Sequence, residues 1–287
     1  MGQETGRHSF DYGLGGTYAP DLYRCHRLAE TIDGFSNIIQ QDYQSYGQLG
    51  YLAIENAFST AEVTEAREAL SDLVMGKHPE FTGIMFETSA KDILPDLNAE
   101  EREAYVRKLM GFNTVEERLR RIAEHPALIR ILTDLLGEPP AMFQDMALLK
   151  PPHIGREKPW HQDHAYFDYP LGTKIVGVWI ALDAATTENG CMYVLEGGHR
   201  DGPRTHFNRR DWQICDSDII GNSAVAVPLM PGGCLLFDGL LPHGTPANTS
   251  GTRRRAVQFH YAPASAMKTS EEDRMALFGE GGKDVTC

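Results

Sequence analysis

The sequence predicts an α+β fold, with helices in the first half of the chain and short strands in the second. Helix-capping residues recur before residue 137. From residue 142 onward, short apolar runs alternate with turns that contain glycine and proline. Short strands separated in this way are typical of a sandwich or barrel rather than of a parallel sheet with crossover helices.

The chain is long enough for one large domain. It has 287 residues, of which 41% are hydrophobic, and this supports a sizeable buried core. We expect a single domain over 1–287, with a helical part at about 36–137 and a strand core at about 140–263. The ranges 1–35 and 266–287 show little periodicity, so we expect them to be mobile or to serve as lids.

Helix starts are indicated by pairs with capping-box spacing, in which Ser, Thr or Asn precedes Glu by three residues. These pairs are Ser59 and Glu62, Asn98 and Glu101, and Thr114 and Glu117. After the first pair, apolar residues recur at helical spacing, and Gly76 is suited to ending that helix. A further helix is predicted over 127–136, because Gly137 and Pro139 follow it.

Strands are predicted where short apolar runs lie between turn residues. The runs are 142–149, 175–182, 192–195, 224–229, 234–237 and 255–261.

Charge and cysteine usage narrow the class of protein. The formal net charge is −13, which argues against nucleic acid and anionic membranes as partners, because both attract basic surfaces. No apolar run reaches the length of about 18 residues that a membrane helix needs, and the first ten residues do not resemble a secretion signal. The five cysteines never form a CxxC pair, so we expect no disulfide framework or zinc ribbon. A cytoplasmic location fits best.

His161-Gln162-Asp163 is the first candidate metal site. Two histidines and one carboxylate form the facial triad of non-haem Fe(II) oxygenases, and one intervening residue lets an imidazole and a carboxylate reach one ion. A second His-x-Asp pattern occurs at His199 and Asp201. We favour the first, because a turn precedes it and aromatic residues follow it, whereas the second lies in a glycine loop among arginines. An exposed polar turn is the alternative for both.

His243 is the second candidate, and Arg254 follows it after 11 residues on a predicted strand. A guanidinium there is suited to binding one carboxylate of a dicarboxylate through two hydrogen bonds. Strand alternation places Arg254 on one face, with the flanking arginines on the other. The residues that share its face are Ala256, Gln258 and His260. The alternative is a solvated basic edge that deters aggregation.

Together with further segments, these residues give the stretch 144–261 a resemblance to the phytanoyl-CoA dioxygenase family of Fe(II)- and 2-oxoglutarate-dependent oxygenases. The order of the matching segments and the 11-residue gap between His243 and Arg254 are specific to this resemblance. These segments are Lys150-Pro151-Pro152, Trp160-His161-Gln162-Asp163, Trp179-Ile180-Ala181-Leu182-Asp183, Glu188-Asn189-Gly190-Cys191, Glu196-Gly197-Gly198-His199-Arg200, His243-Gly244, Asn248 and Arg254.

The resemblance implies a double-stranded β-helix (jelly-roll) core flanked by N-terminal helices. It also implies an enzyme that uses Fe(2+), 2-oxoglutarate and O2, with iron bound by His161, Asp163 and His243. Family halogenases replace the metal carboxylate with a small residue, so the presence of Asp163 favours oxygenation and makes halogenation improbable.

The resemblance also implies a co-substrate pocket. Arg254 binds the distal carboxylate of 2-oxoglutarate, and the Thr245 hydroxyl lies beside it. Four further residues resemble pocket positions or lie on strands that enter the site, namely Trp179, Gln144, Met146 and Lys108. A core tryptophan, a strand-edge glutamine and an exposed helix lysine are the structural alternatives for Trp179, Gln144 and Lys108.

The loop from His199 to Arg210 contains one acid and four arginines, which are Arg200, Arg204, Arg209 and Arg210. We consider that this loop helps to hold an anionic small-molecule substrate. Pairing of these arginines with acidic helices is the alternative.

The function predicted from the sequence is an Fe(II)- and 2-oxoglutarate-dependent dioxygenase that hydroxylates an unactivated C–H bond and releases succinate and CO2. Two other classes stay open. One is a metal-binding jelly-roll sensor without turnover. The other is a zinc hydrolase that uses the same His/Asp/His set. The substrate and the oligomeric state are not predicted.

Overall fold

The computed structural model describes residues 9–11 and 15–287. The parts of the predicted N-terminal tail at 1–8 and 12–14 therefore lie outside the described residues. The helices are α1 Gln40–Leu49, α2 Thr60–Val74, α3 Ala99–Glu103, α4 Glu117–Ala123, α5 Pro126–Leu136 and α6 Glu271–Phe278.

Among the described residues, strands occur in both halves of the chain. In the first half they are β1 Ser9–Phe10, β2 Cys25–Leu28, β3 Thr31–Asp33, β4 Tyr51–Glu55, β5 Ile84–Phe86 and β6 Val106–Met110. In the second half they are β7 Pro140–Lys150, β8 Lys158–His161, β9 Val176–Ala181, β10 Met192–Leu195, β11 His206–Asn208, β12 Trp212–Ile214, β13 Ala224–Val227, β14 Cys234–Asp238, β15 His243–Thr245 and β16 Arg254–Pro263.

Two sheets form the core. The larger has nine strands in the order β1-β5-β6-β7-β16-β9-β14-β4-β3, and the smaller has five in the order β2-β13-β10-β15-β8. Strands β11 and β12 form a separate ribbon. One apolar core lies between the two sheets, and a second lies on the outer face of the larger sheet, where α1, α2, α4 and α5 contribute buried residues. Helix α6 instead packs its Phe278 against His164 and His206. This arrangement confirms the predicted α+β fold with a jelly-roll core.

Side chains of the central strands point alternately to the two faces of the larger sheet, so this sheet contributes residues to two apolar cores. On β9, Val178 and Ile180 belong to the core beneath the helices, whereas Trp179 lies in the core between the sheets. The neighbouring Gly177 is paired with Phe237 on β14. A Cβ atom at Gly177 would overlap the Phe237 ring, so glycine is required there for the aromatic ring to pack.

Two of the three predicted helix starts are confirmed and the third is wrong. Ser59 and Asn98 cap α2 and α3, each within a capping box. The helix predicted to follow Thr114 is α4, and it begins two residues later than predicted. Its N-cap is Glu116, whose side chain accepts a hydrogen bond from the Arg118 backbone N–H. The Thr114 hydroxyl instead donates to the carbonyl of Gly111, within a turn closed by Phe112.

The first half of the chain is less helical than predicted, because β4, β5 and β6 contribute to the larger sheet. Lys108 consequently lies on a strand, and Met85 of β5 and Leu148 of β7 are its cross-strand partners. Strand β6 was missed because two adjacent basic residues, Arg107 and Lys108, interrupt its apolar pattern.

A disulfide joins Cys215 to Cys287, although the sequence predicted no disulfide framework. The C-terminal range 266–287, expected to be mobile or to act as a lid, contains α6, whose Phe278 is fully buried. No helix of the described residues is long and apolar enough to cross a bilayer.

Candidate active site

Three side chains, from two adjacent strands and the turn after one of them, converge between the sheets. His161 ends β8, Asp163 opens the turn that follows, and His243 begins β15 directly opposite His161 in the antiparallel register. All three residues are buried, and their ligand atoms lie within 4.8 Å of one another. His161 Nε2 is 3.2 Å and His243 Nε2 is 3.5 Å from Asp163 Oδ1. Two imidazoles and one carboxylate on a face are the donor set of non-haem iron.

Backbone carbonyls orient both imidazoles. His161 Nδ1 lies 2.7 Å from the Pro159 carbonyl oxygen, and His243 Nδ1 lies 2.9 Å from that of Leu241. Because a carbonyl only accepts, each Nδ1 carries the hydrogen and each Nε2 is left with a free lone pair. Burial, followed by the neighbouring His243, lowers the pKa of His161 to about 4. His161 is therefore neutral at pH 7, as a metal ligand must be.

The triad opens into a cavity of about 200 Å³ between the sheets. Every residue predicted for the site from the sequence lines this one cavity. Besides His161, Asp163 and His243, these are Lys108, Gln144, Met146, Trp179, Thr245 and Arg254.

Arg254 is the most unusual group in the cavity. Only 2% of its surface is exposed; its Nη1 donates to the Leu148 carbonyl oxygen at 3.0 Å, and its Nε has no hydrogen-bond partner. Burial lowers its pKa to about 10, so it stays charged at neutral pH. The flanking arginines differ, because Arg253 pairs with Glu103 and Arg255 with Asp183. A buried guanidinium without a carboxylate is costly unless a ligand supplies the anion.

Two more polar atoms of the lining lack a partner. The buried Oε1 of Gln144 and the buried Nε1 of Trp179 make no hydrogen bond, and the Arg254 guanidinium lies 5.5 Å from the centre of the Trp179 ring. Buried polar atoms are normally satisfied. The donor set of the triad and the unpartnered Arg254 Nε therefore fit iron together with a chelating dicarboxylate.

Most other cations of the lining are neutralised within the protein. Lys158 pairs with Asp211, and both Arg107 and Arg156 pair with Glu87. Lys108 is different, because no hydrogen bond or ion pair holds its ammonium among the described residues. Burial, followed by the charge of Lys158, lowers its pKa.

The second His-x-Asp pattern does not form a comparable cluster. Asp201 is exposed and pairs with Arg204 at 3.0 Å, and His199 Nε2 lies 3.2 Å from the Gly47 carbonyl oxygen. Among the described residues, the only group of histidine and acidic side chains with metal-binding geometry is the triad.

None of the four arginines of the loop lines this cavity. The binding of an anionic substrate by the loop stays a prediction. Arg210 is held by Glu157 and Asp216, and Arg204 by Asp201. Asp201 belongs to the loop itself, Glu157 precedes β8 and Asp216 follows β12, so none of these acids lies on α1 to α6. Arg209 donates to the C-terminal residue Cys287.

Sequence reasoning missed two residues that contact the triad. The side chains of Gln258 and His260 both reach Asp163 Oδ2. Strand alternation had placed them on the face of Arg254, but nothing in the sequence linked that face to Asp163.

Comparison with known proteins agrees with this site. The family model of phytanoyl-CoA dioxygenase (PhyH) matches residues 46–256. A phytanoyl-CoA dioxygenase domain-containing protein 1 from Danio rerio is 27% identical over 281 residues, which cover 82% of this chain and 96% of that protein.

Two solved structures illustrate the shared fold. EctD from S. alaskensis, with 2-oxoglutarate and 5-hydroxyectoine, has a TM-score of 0.66 at 20% identity and covers 97% of this chain and 92% of its own. EvdO2 from Micromonospora carbonacea var. aurantiaca, complexed with 2-oxoglutarate, has a TM-score of 0.63 at 25% identity and covers 84% of this chain and 97% of its own. Since the family model spans well over half of the sequence, the chain belongs to the phytanoyl-CoA dioxygenase family.

Proposed function

We propose that this protein is an Fe(II)- and 2-oxoglutarate-dependent dioxygenase that hydroxylates an unactivated C–H bond of a small molecule. Succinate and CO2 are the co-products. The supporting observation is that one cavity contains both a buried His/Asp/His triad and a buried arginine whose Nε has no partner. A metal site alone does not need the arginine, whereas a dicarboxylate chelating that metal does.

Different residues of the lining bind the metal and the co-substrate. His161, Asp163 and His243 hold the iron. Arg254 binds the distal carboxylate of 2-oxoglutarate through charge-assisted hydrogen bonds, with Thr245 beside it. Bound iron and 2-oxoglutarate supply the activation of O2, which is coupled to decarboxylation of the co-substrate.

The remaining lining residues shape the pocket around the co-substrate. Trp179 packs against the Arg254 guanidinium and shields it from water, so the charge pair forms in a medium of low dielectric. Lys108 brings to the cavity an amine without a hydrogen-bond or ion-pair partner among the described residues, and Met146 forms an apolar wall. Gln144 offers an unpartnered acceptor to a hydrogen-bond donor of the bound molecules.

Hydroxylation is the reaction expected at this site. A halogenase omits the carboxylate ligand so that chloride can bind the metal, whereas here Asp163 would supply that carboxylate. The sensor and the zinc hydrolase leave Arg254 without a role, because neither requires a dicarboxylate.

The sequence-based predictions of one domain over 1–287 and of a cytoplasmic location stay predictions.

A metabolite screen tests the proposal. The purified chain is incubated with a metabolite extract, Fe(II), 2-oxoglutarate and O2, and products are scored by the mass gain of one oxygen atom together with succinate. We expect at least one such product with equimolar succinate. The matched control is Arg254→Met, which keeps the triad and should lose both signals. Turnover that persists without 2-oxoglutarate, or with stoichiometric zinc in place of iron, would contradict the proposal.

A further inference from the structure

The two oxygens of Asp163 have different surroundings. Oδ1 faces the Nε2 atoms of His161 and His243. Oδ2 points away from them and lies 2.6 Å from His260 Nε2 and 3.2 Å from the side-chain nitrogen of Gln258. One carboxylate thus presents one oxygen to the metal site and the other to strand β16.

The hydrogen bond from His260 has a defined direction. An ionised carboxylate only accepts, so His260 Nε2 must carry the hydrogen. Its Nδ1 is buried and has no hydrogen-bond partner. The ring is enclosed by Phe143, Phe167 and Phe237, whose centroids lie 6.0, 4.8 and 6.5 Å away. The side-chain nitrogen of Gln258 lies 3.1 Å from His260 Nε2, but an amide NH2 group only donates, so it cannot accept the imidazole hydrogen. Among the described residues, Asp163 Oδ2 is therefore the acceptor of that hydrogen.

Packing alone does not explain a histidine at this position. His260 is fully buried in an aromatic setting, where its unpartnered Nδ1 is unfavourable because a buried polar atom without a hydrogen bond is destabilising. A phenylalanine would fill the same space without that cost. The bond to Asp163 is the contact that distinguishes histidine from phenylalanine here.

We propose that His260 is a positioning residue that holds Asp163 Oδ2, so that Asp163 binds the metal through Oδ1 alone. The inference rests on the proposed function, because it assumes that the triad binds a metal ion. Residues that orient a ligating carboxylate in this way typically change metal affinity by about 10- to 100-fold when they are replaced.

Metal titration of the full-length, metal-free chain tests the assignment without any turnover. Co(II) and Fe(II) are titrated under anaerobic conditions into wild type, His260→Phe, His260→Gln and His260→Asn. We expect His260→Phe to weaken binding by about 10- to 100-fold. His260→Gln should restore part of the affinity, because its amide reaches Oδ2, and the shorter His260→Asn should not.

The visible spectrum of bound Co(II) supplies a second readout. In His260→Phe, Asp163 Oδ2 keeps only the longer bond from Gln258. We expect that oxygen to bind Co(II) as well, which raises the coordination number and changes the intensity of the Co(II) bands. Tyr261→Phe is the matched control, since it removes a buried hydrogen bond on the same strand, from the Tyr261 hydroxyl to the Ala123 carbonyl oxygen. It should change thermal stability but leave both metal affinity and spectrum as in wild type.

The outcomes separate this inference from the proposed function. If His161→Ala binds Co(II) as tightly as wild type, the triad is not a metal site and both proposals fail. If His161→Ala loses binding while folded His260→Phe binds as wild type does, only the role of His260 is refuted. Should His260→Phe not fold, equal affinities of the Gln and Asn variants would refute it instead.

Discussion

Residues 161–163 and 199–201 contain the same His-x-Asp pattern in two different surroundings. In the first, β15 places His243 directly opposite His161 and the three side chains are buried together. In the second, Asp201 is exposed and neutralised by Arg204. The chemistry therefore depends on the third ligand, which the pairing of β8 with β15 supplies, and not on the pattern itself.

The second region nevertheless supports the first. The Gln162 side chain, between the two metal ligands, donates to the carbonyls of Gly202 and Leu240 and accepts from the Arg204 N–H. The Gln162 backbone N–H donates to His206 Nε2 at 3.1 Å. The loop that follows 199–201 thus fixes the turn on which Asp163 lies.

Replacing the two aspartates separately gives the largest expected contrast. Asp163→Ala removes a direct metal ligand, so 2-oxoglutarate turnover should fall on the order of a thousand-fold, beyond what changes around a ligand cause. Asp201→Ala removes an exposed carboxylate and should leave turnover within about two-fold. Succinate formation by both variants is compared at saturating Fe(II). Equal losses in the two variants would remove the distinction between the two regions.

The three consecutive arginines extend the comparison to the other end of the cavity. Arg254→Met removes the partner of a buried carboxylate, a loss of about 3 kcal/mol that corresponds to roughly 100-fold weaker binding of 2-oxoglutarate. Arg253→Met removes a partly exposed ion pair with Glu103 and should change the affinity for 2-oxoglutarate by less than about two-fold. Anaerobic calorimetry with 2-oxoglutarate measures both. A smaller effect of Arg254→Met than of Arg253→Met would contradict the binding of 2-oxoglutarate by Arg254.

The sequence predicts the parts of this site that depend on local pattern. Alternation placed Arg254 on the face of Gln258 and His260, and the structure agrees. The resemblance named His161, Asp163 and His243, and all of them line one cavity. What could not be predicted depends on contacts between distant segments. The link from His260 to Asp163 spans 97 positions, and the Arg210 pair with Glu157 spans 53. No local pattern encodes such distances.

His206 connects the two regions and gives a pH-dependent test. Burial lowers the pKa of His206 to about 3, from the ordinary histidine value of about 6.5. The unfolded chain therefore binds a proton between these values and the native chain does not, so stability from this group is complete above pH 6.5 and declines as the pH falls. Between pH 7 and pH 5 the loss amounts to about 2 kcal/mol.

His206→Gln should remove this dependence while keeping an acceptor for the Gln162 N–H. The free energy of unfolding of the metal-free proteins is measured in denaturant at pH 7 and pH 5. We expect the difference between wild type and His206→Gln to shrink at pH 5 by about 2 kcal/mol. A constant difference would mean that His206 titrates alike in the folded and unfolded chains.

The arginine loop is expected to give the smallest effect, because its charges are used within the protein. Arg204 holds Asp201, and Arg209 donates to Cys287 near the C-terminus. Neither arginine lines the cavity.

The double change of Arg204 and Arg209 to Glu should therefore leave the KM for a substrate found in the metabolite screen within about two-fold, as is usual for partly exposed ion pairs. Lys108→Glu is the comparison, since it places a carboxylate inside the cavity and should raise the KM for 2-oxoglutarate. A ten-fold rise in substrate KM for the loop variant, with unchanged turnover of 2-oxoglutarate in the absence of substrate, would instead place the substrate against this loop. That result would assign the binding of an anionic substrate to the arginine loop, which contains the second His-x-Asp pattern and no metal site.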